Sequence, residues 1–376
     1  MTSIVTAADA AEFLSMVPHL LGFTPTRSVV LVPFRDARST GGMRLDLPPD
    51  DADADGFAAT ALGLACRVPF VDALVAIVYC DEPFDDGVPR RPLAEALDRA
   101  AHRSGLRMID LLCVGTTAWS PYRDPGGARP LSALPAPPAR AVGAEALHPD
   151  QAAGAGLPPS DLAERERVGR ALTQLDRALA VVAGRPAPSG VDLDDRVDPA
   201  ALTAVCALDD VPEFFDRAVA TDPAATAPYD LAALVWCLAR PALRDIGLTA
   251  WIDGIEAGDT ALEAQLRWED GEEFPASLAE RMMGEGERPD AGRLTVALEV
   301  ARRAASVAPR ELRPGALSVC AWLSWALGRS THAERYGLLA CEIDPEHGLS
   351  RIVLSMVQAG HLPDWAFRPD GRRGRR

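Results

Sequence analysis

The chain has 376 residues, 48% of them hydrophobic, which exceeds what a single hydrophobic core usually serves, so two domains are expected. Its 54 acidic and 38 basic residues give a formal net charge of −16, which repels a phosphate backbone and argues against general nucleic-acid binding. Every Lys/Arg position is arginine. The absence of lysine excludes Schiff-base lysines, pyridoxal-phosphate anchors, the GxxxxGK[ST] phosphate loop and Ser-x-x-Lys catalysis.

Residues 1–120 predict an α/β domain, because helical and strand periodicities alternate along them. The predicted helices span 9–21, 57–68 and 93–104, and the predicted strands span 28–34, 43–47, 73–80 and 108–115. The resulting order αββαβαβ favours a mixed, mostly parallel central sheet, with the first two strands as an antiparallel edge.

The composition changes after this domain. Residues 121–160 are rich in Pro, Gly and Ala and predict a loop or linker at the domain boundary. Residues 161–367 predict an all-α domain, with Asp161 and Asp210 as helix N-caps and a further helix start near Asp230. The basic end 368–376 has five arginines and is expected to be disordered, touching the protein's own acidic surface or, weakly, nucleic acid.

An internal repeat occupies the last hundred residues. Gly292, Ala297, Ala304 and Pro309 have the same mutual spacings as the later set Gly328, Ala333, Ala340 and Pro345. Small residues at these offsets let antiparallel helices approach closely, and the region of about 278–347 resembles a degenerate tetratricopeptide repeat. Trp322 and Trp325 are candidate partner-binding residues that line a peptide groove; the alternative is that they belong to the core, since Leu323 and Leu327 accompany them.

The seven cysteines are scattered through apolar segments and never form CxxC, which indicates buried reduced thiols rather than a zinc site or a disulfide framework. The N-terminus lacks a basic region and an apolar signal segment, and no long apolar run occurs, so a cytoplasmic protein is expected. GxSxG, HExxH and GxGxxG motifs are all absent, and no cofactor is predicted.

Two acidic runs contain carboxylates that could hold a metal ion. The run at 50–56 has Asp51, Asp53 and Asp55 at the spacing of a calcium loop, but its twelfth position is Leu62 instead of glutamate. The run at 192–198 lacks a histidine ligand and is typical of a solvated acidic loop. No metal site is therefore predicted.

His19 lies in a conspicuous stretch, between a proline and two leucines shortly before Gly22. As a base near pH 7 it would need orienting groups, which Arg44 and Asp46 on a neighbouring strand could provide. The alternative is a structural role in the last turn of a helix, where imidazole favours the negative end of the helix dipole. No Ser, Cys or second His completes a nucleophilic set nearby.

Several segments resemble a known family. They are "VPHLLGFTPTRSVVLVPF" (17–34), "MRLDLP" (43–48), "CVGTTAWSPYRDPGG" (113–127), "LRDIGLTAWI" (243–252) and "CAWLSWALGRSTHAERYGLLACEIDP" (320–345). They are similar to the actinobacterial family known as domain of unknown function 4192. The resemblance implies fold relatives and a bacterial origin, and it implies no activity.

Two functions remain open at this point. The first is a scaffold or interaction protein that binds a protein partner through the concave face of its helical domain. The second is an enzyme or small-ligand binder with a pocket at the carboxyl ends of the parallel strands, where open α/β sheets usually bind ligands. The candidate ligand-binding residues at that edge are His19, Arg44, Asp46, Thr116 and Thr117.

Overall fold

The structure, a computed structural model, describes residues 7–36, 38–123, 126–139, 147–184 and 197–367. The chain divides into two compact units between Gly154 and Ala155, with the second unit ending at Ala366. The predicted basic tail 368–376 lies outside the described residues.

The first unit contains three helices and a seven-stranded sheet within the described residues. The helices are α1 (Ala10–Leu21), α2 (Ala54–Cys66) and α3 (Arg91–Arg103). The strands are β1 (Ser28–Arg35), β2 (Arg38–Ser39), β3 (Met43–Asp46), β4 (Ala73–Tyr79), β5 (Arg107–Val114), β6 (Ala118–Pro121) and β7 (Arg129–Pro130). The predicted α/β class and the order of its main elements are confirmed.

The sheet is mixed, but it contains less parallel pairing than expected. Its order is β2-β1-β4-β5-β6-β7, and β3 also pairs with β1. Strand β1 runs antiparallel to β2, β3 and β4, and the β5–β6 and β6–β7 pairs are antiparallel as well. The parallel pair is β4–β5, which α3 connects. The expectation of a mostly parallel sheet is corrected because β1 inserts antiparallel beside β4 and β6 returns from β5 as a hairpin.

Helices cover both faces of this sheet. Residues 73–79 form a continuous apolar strand that is buried throughout, as a central strand covered on both sides requires. Val29, Leu31 and Val78 face α2 and α3, whereas Val30 and Ile77 face α1. The alternation of side chains along each strand therefore divides the sheet into two apolar faces.

The described residues of the Pro/Gly/Ala-rich segment 121–160 that precede Ala155 contribute contacts to the first unit. Strand β7 extends the sheet, and residues 131–133 form a short 3-10 helix. His148 forms a bridge with Phe23, and the Gln151 side chain accepts hydrogen bonds from the amide and hydroxyl of Thr26. The boundary between the units, after Gly154, lies within this segment.

The second unit is helical throughout its described residues. Its helices are α4 (Leu162–Val182), α5 (Pro199–Ala207), α6 (Val211–Ala220), α7 (Pro228–Leu238), α8 (Pro241–Asp253), α9 (Ile255–Glu269), α10 (Ala276–Met282), α11 (Ala291–Val307), α12 (Arg313–Ala326), α13 (Ser330–Cys341) and α14 (Gly348–Gln358). The predicted all-α architecture is confirmed. Among the described residues, no helix combines the length and apolar character needed to cross a bilayer.

Aspartates at helix starts account for part of the acidic composition. The side chains of Asp161, Asp210 and Asp290 each accept a hydrogen bond from an amide in the first turn of their helices. Such caps give a hydrogen-bond partner to amides that have none within the helix. The negative charge of the aspartate also interacts favourably with the positive end of the helix dipole. The helix start expected near Asp230 lies two residues earlier in the structure, because α7 begins at Pro228.

The repeated small residues lie at close helix contacts. Ala297 and Ala304 on α11 and Ala333 and Ala340 on α13 are all fully buried, and Gly328 adopts a left-handed backbone after α12. Helices α12 and α13 pack against each other as the expected pair. The earlier copy lacks an equivalent first helix, because α10 has only seven residues. Resemblance to a tetratricopeptide repeat stays a prediction.

Candidate functional site

The carboxyl ends of β4 and β5 meet at one edge of the first unit's sheet. Tyr79 and Val114 end these strands and are register partners, and the Cys80 amide donates to the Val114 carbonyl at 2.9 Å. Cys113 pairs with Val78, so Cys80, two residues further on, projects from the same face. The strand geometry therefore brings two cysteine side chains together at this edge.

These two thiols form a close pair. The Cys80 and Cys113 sulfur atoms lie 3.7 Å apart, and their residues are 4% and 0% exposed. Both are free cysteines, joined by no disulfide to any described residue. A separation of 3.7 Å is a thiol–thiol contact, whereas a disulfide requires about 2.05 Å between the sulfur atoms.

The segment preceding α3 covers the thiol pair. The Pro89 carbonyl accepts a hydrogen bond from the Tyr122 hydroxyl at 2.6 Å and lies 3.9 Å from the Cys113 sulfur. Arg90, which follows, has a φ of 57° in the left-handed region that non-glycine residues avoid. Its side-chain contacts compensate for this backbone strain.

Arg90 links three segments around the site. Its Nε donates to a Glu82 carboxylate oxygen at 2.7 Å, and its Nη1 donates to the Pro48 carbonyl at 3.0 Å. The same guanidinium forms an ion pair with Asp50. With only 17% of its side chain exposed, Arg90 is well placed to fix the position of Glu82, two residues beyond Cys80.

The two thiols have opposite pKa shifts because they share a hydrogen bond. Donation from Cys80 lowers the pKa of Cys113, whereas burial opposes this shift. The hydrogen bond to Cys113, followed by burial, raises the pKa of Cys80. The pair therefore favours one thiolate on Cys113 and disfavours a second ionisation.

Glu82, two residues beyond Cys80, is a partly buried carboxylate that affects the charge of this site. Burial alone would raise the pKa of Glu82, but the hydrogen bond and charge of Arg90 contribute to an overall lowering. One of its carboxylate oxygens is buried and has no hydrogen-bond partner among the described residues. Glu82 is thus a negative charge that depends on Arg90 for compensation.

The structure brings Arg44 and Asp46 together, but on the other face of the sheet. Arg44 donates to the Ser28 hydroxyl at 2.7 Å and forms an ion pair with Asp46. Arg44 is the register partner of Val30, whose side chain faces α1, whereas the thiols face α2 and α3. The two candidates therefore form a cluster with Ser28 that is separate from the thiol pair.

The other predicted residues at this edge do not join the thiol pair. Thr116 and Thr117 are exposed in the tight connection between β5 and β6. His19 lies in the last turn of α1. Gly22 ends that helix with a φ of 82°, and its amide donates a hydrogen bond to the Pro18 carbonyl. The described hydrogen bonds of Arg44 and Asp46 do not involve His19.

Trp322 and Trp325 lie in the core of the second unit, with 1% and 0% of their surfaces exposed. Their indole N–H groups donate to the carbonyls of Met282 and His361 at 2.9 and 2.7 Å. This corrects the expectation that they line a peptide groove, because both rings and both polar atoms are already enclosed by α12 and its neighbours.

The acidic run at 50–56 has structural roles. Asp53 caps α2, and Asp55 forms an ion pair with Arg99. Within the described ranges, no group of three or more His, Cys, Asp or Glu side chains is arranged to hold a metal ion. Most of the run at 192–198 lies outside these ranges.

Sequence reasoning missed Cys80, Glu82, Arg90, Cys113 and Tyr122 as a group. The expectation of buried thiols holds for Cys80 and Cys113, whereas Cys66 and Cys206 are exposed. A signal was present, because Cys80 and Cys113 each fall near the end of an apolar run. Parallel pairing of those runs would have placed both at one edge.

A comparison with protein-family models finds one match, which covers residues 11–364. The matching family is described as "Domain of unknown function (DUF4192)". No curated protein and no solved structure matches the chain.

Proposed function

The chain belongs to the DUF4192 family, and we propose that its first unit is a peroxide-responsive thiol site in which Cys80 and Cys113 alternate between dithiol and disulfide. One observation carries this proposal, namely the 3.7 Å contact between the two sulfur atoms at the carboxyl ends of β4 and β5. The proposal assigns thiol chemistry to the sheet edge at which the sequence predicts a ligand pocket.

The reaction starts at Cys113, whose thiolate is favoured by the hydrogen bond from Cys80. The thiolate attacks the O–O bond of a hydroperoxide, forming a sulfenic acid and releasing hydroxide or alkoxide, which takes up a proton. The Cys80 thiol then displaces the sulfenic hydroxyl as water, and the S–S bond forms. Two thiols are oxidised by two electrons, and one hydroperoxide is reduced to water and an alcohol or a second water.

Closing the disulfide moves the backbone after β4. Cys80 and Cys113 are a diagonal cross-strand pair whose sulfur atoms lie 3.7 Å apart, whereas a disulfide requires about 2.05 Å. Cys80 is the first residue beyond β4, whereas Cys113 lies within β5, so we expect the movement at Cys80. Its approach to Cys113 pulls on Glu82 and thereby on the ion pair with Arg90.

The reducing cytoplasm suits this cycle, because its thiol pool returns the disulfide to the dithiol. We therefore propose that the protein is cytoplasmic and actinobacterial and that its cysteines are reduced. Its net charge of −16 supports the further proposal that it has no general affinity for nucleic acid.

The test is a thiol count on a full-length background in which Cys66, Cys206 and Cys341 are serine, since these cysteines are not fully buried. After treatment with hydrogen peroxide, denaturation and alkylation, the background protein is expected to lose two alkylatable thiols and to regain them with dithiothreitol. Intact mass spectrometry reads both changes.

The matched variants add Cys113→Ser or Cys237→Ser to that background. Cys113→Ser is expected to abolish the reversible loss of two thiols, whereas Cys237→Ser preserves it, because Cys237 lies buried in the second unit. An unchanged number of thiols in the background protein, or an equal loss in the Cys113→Ser protein, contradicts the proposal.

A second candidate function is the predicted binding of a protein partner by the helical unit. Its basis is an acidic aromatic patch, defined here as exposed residues at the end of α9 and just beyond it: Leu266, Trp268, Glu269, Asp270, Glu272, Glu273 and Phe274. Trp268 continues the buried stripe of Ala261 and Ala264 at helical spacing, yet it is 54% exposed. An exposed tryptophan among carboxylates suits a basic segment with an apolar anchor.

The patch is tested by native pull-down with the full chain and its Trp268→Ser variant. A stoichiometric partner is expected to bind the wild type, to dissociate at high salt, and to be lost with Trp268→Ser. Leu338→Ser is the matched control, because Leu338 is 49% exposed on α13, outside the patch. Recovery of the same partner by Trp268→Ser, or of none by the wild type, contradicts this candidate.

A further inference from the structure

The second unit contains a surface cavity between α6, α7 and α11. Its volume is about 130 Å³, and its floor is apolar, formed by Phe214, Leu231, Leu234 and Val300. These four residues are at most 5% exposed, so the floor belongs to the core. A cavity of about 150 Å³ holds a benzene-sized group, so this one accommodates an aliphatic side chain of a few carbons.

Charges of both signs line the same cavity. Arg217 projects from α6, and Asp230 projects from the first turn of α7. Both residues are exposed, and among the described contacts no hydrogen bond or ion pair joins them. The Arg217 side chain has a Glu213 oxygen 3.8 Å away, a distance beyond hydrogen bonding. The rim thus offers one cation and one anion that are not paired with each other.

The other cation that lines the cavity is already committed. Arg303 forms an ion pair with Glu164 on α4, with Nη1 at 3.2 Å from one carboxylate oxygen and Nη2 bonded to the other. Such bidentate pairing neutralises its charge locally. A ligand carboxylate is therefore expected to bind Arg217 rather than Arg303.

From this arrangement we infer that the cavity binds a small zwitterion with an apolar side chain, by chemical class an α-amino acid. The ligand carboxylate binds Arg217, the ammonium binds Asp230, and the side chain enters the apolar floor. Mostly apolar lining with a few polar groups that fix orientation is typical of small-ligand sites. The inference is independent of the thiol site, since all of these residues lie in the second unit.

The experiment is isothermal titration calorimetry of the full-length protein with L-valine, L-leucine and L-phenylalanine, and with two truncated forms of leucine. Isocaproate lacks the ammonium group, and isopentylamine lacks the carboxylate. At least one amino acid is expected to bind. If leucine binds, each truncated form is expected to bind about tenfold or more weakly, because it loses a hydrogen bond to a charged group.

Variants assign each charge to its partner. Arg217→Gln is expected to remove the preference for leucine over isopentylamine, and Asp230→Asn to remove the preference over isocaproate. Ala218→Leu, which fills the cavity, is expected to abolish binding, whereas Arg267→Gln on α9, outside the lining, leaves the Kd unchanged. Absence of binding by all three amino acids, or a Kd unaffected by both charge variants, overturns the inference.

Discussion

Replacing Trp325 with alanine is expected to lower the free energy of unfolding of the helical unit by about 4 kcal/mol, the cost of truncating a fully buried tryptophan. The ring contacts those of Trp322, His361 and Trp365, with centroids 6.0–6.4 Å apart. Truncation also leaves the His361 carbonyl without the indole N–H that it accepts at 2.7 Å. The substitution therefore combines a cavity with a lost hydrogen bond.

Urea unfolding followed by far-ultraviolet circular dichroism measures this effect, since helices dominate that signal. Trp268→Ala is the matched control. It removes the same side chain from a position that is 54% exposed and is expected to cost less than about 1 kcal/mol. Similar midpoints for Trp325→Ala and Trp268→Ala would show that the buried tryptophan cluster does not stabilise the unit as described.

Replacing Arg90 with methionine is expected to destabilise the first unit by about 3 kcal/mol, because it leaves the carboxylate of Glu82 partly buried without its cation. The variant also frees the Pro48 carbonyl and Asp50. The loss of the Glu82 contact also releases the segment that carries Cys80, so disulfide formation is expected to become faster.

Denaturant unfolding, read by a probe specific to the first unit such as the fluorine resonance of Trp119 in protein labelled with fluorotryptophan, measures the change. Arg99→Met is the control, since Arg99 and Asp55 form a pair in which both side chains are about half exposed, and its loss is expected to cost less than about 1 kcal/mol. Adding Glu82→Gln to Arg90→Met is expected to recover part of the stability. Equal effects of Arg90→Met and Arg99→Met contradict the role given to Arg90.

Local periodicity predicted the elements of the first unit well. The apolar run at 73–79, for example, predicts a strand buried on both faces, and the structure confirms it. Strand direction was harder to predict, because an apolar run does not indicate which strand pairs with it or whether the pair is parallel. The antiparallel insertion of β1 beside β4 depends on tertiary packing, and for this reason the sheet has less parallel pairing than the element order indicated.

The site depends on information that sequence spacing does not contain. Cys80 and Cys113 are 33 residues apart and meet only because β4 and β5 pair in one particular register. Arg90 has no motif, and its role follows from a left-handed backbone that directs its side chain towards Glu82. The sequence pattern around Trp322 did not separate a groove from a core, because aromatic residues at helical spacing are typical of both.

The proposed disulfide between Cys80 and Cys113 is tested most directly by peptide mapping after redox equilibration. Trypsin places the two cysteines in separate peptides, residues 68–90 and 108–123. Full-length protein is equilibrated with mixtures of reduced and oxidised dithiothreitol, quenched by alkylation, and digested. The account predicts that these two peptides become linked in one two-electron transition. Alkylated Cys80 and Cys113 at the most oxidising ratio, with Cys66 or Cys206 oxidised instead, would contradict it.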